Sequence, residues 1–468
     1  MLVKYVSTRG EAPVLAFDDV LLAGLAEDGG LYVPQEWPQF SADELLSMAG
    51  LSYAQIAYRV IRPFVGGTIA DSDLEKMVEE TYAGFGHAAV APLKQIGSND
   101  WLMELFQGPT LAFKDFALQL VGRMFAHVLA ARGERVTIVG ATSGDTGSAA
   151  IEACRDRANI DIFILFPEGR VSPVQQRQMT TVDSVNVHAI AVAGTFDDCQ
   201  DLVKGMFNDA QFRKAQNLSA VNSINWARVM AQIVYYVVAA VRLGAPSRPV
   251  SFAVPTGNFG NVFAGWAAWK CGLPIDRLVV GTNSNDILFR FFETGEMKMA
   301  GVEPTLSPSM DIQVSSNFER LLFDMLDGDG AAVRDWIAAF RKSGAVSVDD
   351  ARLAGAREKI SASRLDDDGT RRVIREIYET TGELLDPHSA IGVDAARQCR
   401  GNKEVPMVTL ATAHPAKFPD AVKSATGIHP QLPERMSDLF DRNEKFDTLP
   451  NDIAAVQDFV RRAVEGHS

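Results

Sequence analysis

Three short segments hold residue types that could act together on one small molecule. Gly140-Ala141-Thr142-Ser143-Gly144-Asp145-Thr146-Gly147 and Pro255-Thr256-Gly257-Asn258-Phe259-Gly260-Asn261 each place glycines where a strand would turn tightly into a helix. Such a turn leaves free N–H groups at the positive end of the helix dipole, a socket for phosphate or carboxylate. Neither segment has the spacing of a Walker A or a dinucleotide fingerprint. One Gly-rich turn is common structural punctuation; two suggest two anionic groups held by one protein. The third segment is Gly108-Pro109-Thr110-Leu111-Ala112-Phe113-Lys114-Asp115-Phe116. A lysine is ordinarily a solvated surface charge. Leu111, Ala112, Phe113 and Phe116, however, put Lys114 in apolar company, which depresses an amine pKa and makes it nucleophilic near neutrality. A nucleophilic lysine with phosphate sockets suits pyridoxal phosphate: the amine holds the aldehyde as a Schiff base and a helix N-terminus holds the phosphate.

Those residues need strands and helices to carry them. Val136-Thr137-Ile138-Val139 reads as a buried strand leading into the first turn, with a helix over 148–155 behind it. Ser251-Phe252-Ala253-Val254 leads into the second turn, followed by a helix over 262–271 and a strand at Leu278-Val279-Val280-Gly281. Strands are also expected at 160–166, 187–192 and 405–412. Leu118, Val121, Phe125 and Leu129 recur at helical spacing behind Lys114 until Gly133 stops the run. Ile453, Val456, Val460 and Val464 mark a last amphipathic helix. Strands alternating with helices predict an α/β fold with mostly parallel sheets.

Composition narrows the function classes. Across 468 residues, 45 Lys+Arg against 59 Asp+Glu leave a net charge of −14, which argues against nucleic-acid or anionic-membrane partners. The 47% hydrophobic and 22% charged residues are those of a globular protein, not a disordered one. Cys154, Cys199, Cys271 and Cys399 lie far apart and the histidines are scattered, so no metal site is expected. So few cysteines suit a reducing compartment. Neither a signal-peptide run at the start nor about 18 consecutive apolar residues elsewhere is found, so a soluble, cytoplasmic protein is expected.

Taken in order, the 108–116 segment, the two Gly-rich turns and Leu410-Ala411-Thr412-Ala413-His414-Pro415-Ala416-Lys417-Phe418 closely resemble threonine synthase, in the longer three-domain form of many bacteria and fungi. Gly24-Leu25-Ala26-Glu27-Asp28-Gly29-Gly30-Leu31-Tyr32-Val33-Pro34 extends the likeness towards the start. The resemblance implies the tryptophan-synthase-β type (fold type II) of pyridoxal phosphate enzyme: two open α/β domains, a small N-terminal domain and a helical insertion. It implies an enzyme converting O-phospho-L-homoserine and water to L-threonine and phosphate. Lys114 would hold the cofactor, Gly257, Asn258, Phe259, Gly260 and Asn261 would bind its phosphate, and the Thr412 hydroxyl would face the ring nitrogen. Thr142, Ser143, Asp145 and Thr146 match the loop that grips the substrate carboxylate. Asp145 stands where related dehydratases and cysteine synthases carry Asn, and it should turn away towards a backbone N–H or a base. For the substrate phosphate the candidates are Ser223, Asn225 and Arg228 in the 222–228 segment, the 315–320 segment with Arg320, and Lys417. Arginine suits that role because its fork donates in pairs.

The expected domains are 1–95, N-terminal; 96–134 with 235–430, large and cofactor-binding, with a helical insertion about 327–383; 135–234, small and closing over substrate; and 431–468, a tail with the final helix. The assembly is expected to be a monomer or homodimer. Two rival readings stay open. One is a phospho-lyase that takes the same substrate to 2-oxobutyrate. The other is a non-catalytic paralogue binding phosphate metabolites, against which Lys114 and the intact 257–261 loop speak.

Overall fold

The computed structural model describes residues 3–220 and 223–466. Its contacts divide the chain into two compact units, residues 1–107 with 223–430 and residues 108–222 with 431–468.

The first unit is built on a six-stranded sheet in the order Ile360–Arg364, Ile275–Thr282, Val250–Pro255, Met407–Ala411, Asp100–Glu104, Leu93–Gln95. All neighbours are parallel except the last pair. Val250–Pro255 and Met407–Ala411 are buried along their whole lengths, the mark of a parallel strand covered on both faces. Because these two strands pair in parallel, with Met407 opposite Ser251, they end at the same edge of the sheet. The 257–261 turn and Thr412 follow those ends, where open α/β sheets bind ligands. The Trp226–Arg242 helix is buried from Trp226 to Val241, and Asn225 caps it.

The N-terminal residues cluster with this sheet unit rather than standing apart. Long-range bonds explain why. Arg9 meets Glu319 through Nε at 3.0 Å and Nη2 at 2.9 Å, Trp226 Nε1 donates to the Tyr5 hydroxyl, and Asn225 Nδ2 donates to the Leu21 carbonyl.

The second unit has a fully parallel five-stranded sheet, ordered Asp447–Pro450, Val187–Ala193, Ile160–Pro167, Val136–Ala141, Leu218–Ser219. One core holds Val139, Phe163, Leu165, Ile190 and Val192 together with Val456 and Val460 of the final helix, Ile453–Glu465. The Lys114–Arg132 helix belongs to this unit because it packs along the Asp145–Cys154 helix; the sequence reading had assigned it to the large domain. Asp145–Cys154 begins three residues earlier than expected, since Thr142 Oγ1 accepts the N–H groups of Gly144 and Gly147 and starts the helix there. Within 327–383 lie three helices and two strands, Ala345–Ser347 and Ile360–Arg364, the second of which extends the first unit's sheet. Among the described residues no helix is long and apolar enough to cross a membrane, and no group of three metal-ligating side chains gathers.

Candidate active site

In the second unit Lys114 opens its helix. The preceding turn is held by Asp115, whose carboxylate accepts the Thr110 N–H and hydroxyl, each at 2.8 Å. Gly108 is required beneath it, because a Cβ there would lie 2.4 Å from the Asp115 Cβ. Lys114 is only 9% exposed. Its Nζ lies 3.3 Å from Asp145 Oδ2 and 5.1 Å from the Phe113 ring centroid. The other oxygen of Asp145 accepts Gln175 Nε2 at 2.9 Å. Asp145 therefore does point at a base, and that base is Lys114. Gly144, at φ +139°, admits the Gln175 amide, which a Cβ would approach to 2.4 Å. Of the other carboxylate-loop candidates, Ser143 is exposed and Thr146 half-buried, while Thr142 is buried and capping the helix.

In the first unit the 257–261 turn is gripped from outside. Ser315 Oγ donates to the Gly257 carbonyl at 2.7 Å, and Asn317 Nδ2 to the Asn258 carbonyl at 3.0 Å. Ser309 O would sit 2.7 Å from a Cβ at Gly257, so only glycine allows this approach. Phe259 takes a left-handed φ of 61° and leads into the Gly260–Lys270 helix. With the carbonyls turned outward, nothing among the described residues takes the N–H groups of Asn258, Phe259 and Gly260. Asn261 Oδ1 accepts the Tyr235 hydroxyl at 2.6 Å, whereas its buried Nδ2 has no partner. Three open amides and an orphaned carboxamide at a helix N-terminus are the donor set a phosphate monoester requires, and the residues present fit pyridoxal phosphate.

Thr412 is buried directly after its strand, and its N–H donates to Ser389 Oγ at 3.1 Å. The substrate-phosphate candidates separate. Arg320 spends its fork on the carbonyls of Tyr32 and Ile224 and on Asn317 Oδ1. Burial pushes it down to about 9. It is a structural residue. Arg228 is 3% exposed, and its Nε and Nη1 have no partner. Desolvation lowers it to about 10, so it stays charged near neutrality. Asn225 is committed to Leu21 O and the Ala227 N–H, and the Ser223 carbonyl to Asn317 Nδ2. Lys417 is fully buried, and Asn222 lies outside the described residues. Sequence reasoning missed Gln175, Tyr235 and the Asp386-Pro387-His388-Ser389 run, although Asp-Pro at a helix start was a legible cap signal.

Residues 88–340 match the family model described as pyridoxal-phosphate dependent enzyme. With the two parallel-sheet units and the buried lysine, this defines a pyridoxal-phosphate-dependent enzyme of fold type II. Residues 4–82 match the model for the threonine synthase N terminus and residues 389–460 that for threonine synthase, C-terminal. The chain is 59% identical to threonine synthase of Pseudomonas aeruginosa, over 98% of both chains. The crystal structure of pyridoxal-phosphate-bound threonine synthase from Brucella melitensis superposes with a TM-score of 0.97 at 58% identity, covering 98% of this chain and 99% of that one. The yeast enzyme's structure gives 0.93 at 39% identity, with 99% and 98% covered. The chain belongs to the threonine synthase family.

Proposed function

We propose that this chain converts O-phospho-L-homoserine and water to L-threonine and phosphate, with Lys114 as the group that holds the cofactor and moves the protons. The observation that carries the reading is the buried Lys114 amine, aimed by an Asp145 carboxylate that Gln175 pins from its other oxygen. When bound, pyridoxal phosphate supplies an aldehyde for the substrate amine and a ring that absorbs the electrons of a deprotonated carbon. With the cofactor bound, Lys114 would take the Cα proton on Nζ and then serve Cβ and Cγ. Asp145 orients that amine. Asn261 and the amides of Asn258, Phe259 and Gly260 would bind the cofactor phosphate. The Thr412 hydroxyl would face the ring nitrogen as a neutral partner, one that would not force that nitrogen to stay protonated.

Arg228, whose open N–H groups await an oxyanion, stabilises the phosphate as it leaves Cγ. Ser143 and Thr146 take the substrate carboxylate. Water adds its oxygen at Cβ, so one C–O bond is lost and one gained. The protein works in the cytoplasm as a monomer or homodimer. Its four unpaired thiols support the reducing compartment, three of them buried, with Cys154 and Cys271 pushed up to about 12 by desolvation.

Incubation with O-phospho-L-homoserine should release threonine and phosphate in equal amounts, while homoserine itself should react very poorly. Excess 2-oxobutyrate would assign the chain to the phospho-lyase chemistry, and no turnover at all to the non-catalytic one. Borohydride reduction should label the peptide that contains Lys114, and Lys114→Ala should lower kcat by about 10²–10⁴-fold or more. A label on any other peptide would overturn the assignment.

A further inference from the structure

A buried carboxylate outside every motif above connects the two ends of the proposed cofactor site within the first unit. Asp386 is fully buried and caps the Pro387–Gln398 helix, accepting the His388 N–H at 2.9 Å and the Ser389 N–H at 3.3 Å. It does more than cap. Its Oδ1 also meets His388 Nδ1 at 2.8 Å, and its Oδ2 accepts the Ser389 hydroxyl. A carboxylate oxygen carries no proton, so His388 Nδ1 must be the donor. The far side of the ring then has to accept, and it does: the Ser309 N–H points at His388 Nε2 at 3.3 Å. The carbonyl of that same Ser309 closes over Gly257, 2.7 Å from where a Cβ would be. On the other branch the Ser389 hydroxyl, having donated to Asp386, accepts the Thr412 N–H at 3.1 Å.

We propose that Asp386 is a positioning residue for the cofactor, setting the phosphate turn at Gly257 through His388 and Ser309 and setting Thr412 through Ser389. A helix cap needs only the backbone bonds. The two side-chain branches are surplus to capping, each fixes the proton of the group it touches, and each ends on a residue assigned to one end of the cofactor. A buried network of this kind holds its members only when all are satisfied. The inference rests on the functional reading above, and the two can fail separately.

The test uses full-length apoenzyme titrated with pyridoxal phosphate, read by dissociation constant, by the ³¹P resonance of the bound phosphate and by the visible band of the ring. His388→Phe should move the ³¹P resonance and weaken binding by about tenfold, the effect of one lost buried hydrogen bond, with the visible band unchanged. Ser389→Ala should shift the visible band and leave the ³¹P resonance in place. Asp386→Asn should alter both. His388→Gln, which can both donate and accept, should restore most of the ³¹P signature, and it serves as the readout if Asp386→Asn does not fold. Gly257→Ala and Thr412→Val are the references, one for each end. If they leave the two spectroscopic signals unmoved, the assignment of the site itself is wrong. If the references respond but His388→Phe and Ser389→Ala move both signals alike, or neither, the site stands and Asp386 only caps a helix.

Discussion

Two buried arginines show how far the same residue type can diverge. Arg320 gives its fork to Tyr32 O, Ile224 O and Asn317 Oδ1, and Asn317 in turn holds the carbonyls of Asn258 and Ser223. Arg228 leaves Nε and Nη1 unmatched. A buried charge without partners costs stability, so its replacement by an apolar side chain of similar length should be neutral or stabilising. Arg228→Met is therefore expected to hold or raise Tm while lowering kcat/KM for the phosphorylated substrate by about 10²-fold, in line with about 2–5 kcal/mol for a lost charged contact. Arg320→Met strands three acceptors and should destabilise the fold by roughly 3–5 kcal/mol. Thermal unfolding and steady-state kinetics on both variants decide it. If Arg228→Met unfolds as readily as Arg320→Met with kcat/KM unchanged, Arg228 is structural too. In the sequence both arginines sat in polar, motif-like surroundings. The carbonyls that claim Arg320 lie 96 and 288 positions away, and no local spacing reveals such partners.

At the scale of elements, the distance between Lys114 and Asp145 is set by how closely two helices pack. Lys114 meets Asp145, Gln119 Nε2 donates to Ala149 O at 3.3 Å, and Gly122 faces Ala153. The offset along the chain stays nearly constant, so the helices run side by side in the same direction. At Gly122 a Cβ would stand 2.3 Å from the Ala153 carbonyl oxygen. Gly122→Ala should gain about 1 kcal/mol in helix propensity, yet the clash should cost more, for a net loss of about 1–2 kcal/mol. The parted helices should also lengthen the Lys114–Asp145 contact and slow turnover. Equal or greater stability with unchanged kcat would show that the helices give way freely. The helices and most strands were legible because apolar periodicity is local. Ile360–Arg364 was not, since Ile-Ser-Ala-Ser-Arg inside a charged stretch resembles a surface turn until its partner, Ile275–Thr282, supplies the ladder. Lys114 and the two Gly-rich turns could be found because each is contiguous. The contacts of Gln175 with Asp145, of His388 with Ser309 and of Ser389 with Thr412 join distant stretches and could not.

Across the molecule, described residues near both ends of the chain pack into the units that hold the candidate site residues. Near the start, Asp28 accepts the Gly30 N–H, the Ser7 hydroxyl and the N–H groups of Glu11 and Ala12. Partial burial opposes its charge, but these bonds outweigh it and hold the carboxyl below the usual range. A lowered folded pKa contributes stability above the unfolded value of about 3.9, lost as pH falls through the folded one. Asp28→Asn should therefore lower Tm at neutral pH and flatten its fall below about pH 4. An unchanged acid limb would show that other carboxylates govern it.

The other end makes a stronger demand. Residues 431–468 place Asp447–Pro450 beside Val187–Ala193, and seat Met436 and Leu439 against Leu111 and Val174. Arg435 Nη2 donates to Gly108 O at 3.0 Å, on the turn that leads into Lys114. In the final helix Val456 and Val460 are completely buried among Phe163, Leu165 and Ile190. The amphipathic spacing marked this helix in advance, but only the fold shows that it fills the core of the unit bearing the lysine. A carboxylate at position 460 would be buried without a partner, a cost of several kcal/mol against a typical stability of about 5–15. Val460→Asp should thus unfold that unit and abolish borohydride labelling of Lys114. Ala454→Asp, on the exposed first turn of the same helix where negative charge is favourable, should change stability by less than about 0.5 kcal/mol and leave labelling intact. If Val460→Asp kept its Tm and its labelling, the tail would be an appendage rather than part of the core that holds Lys114 in place.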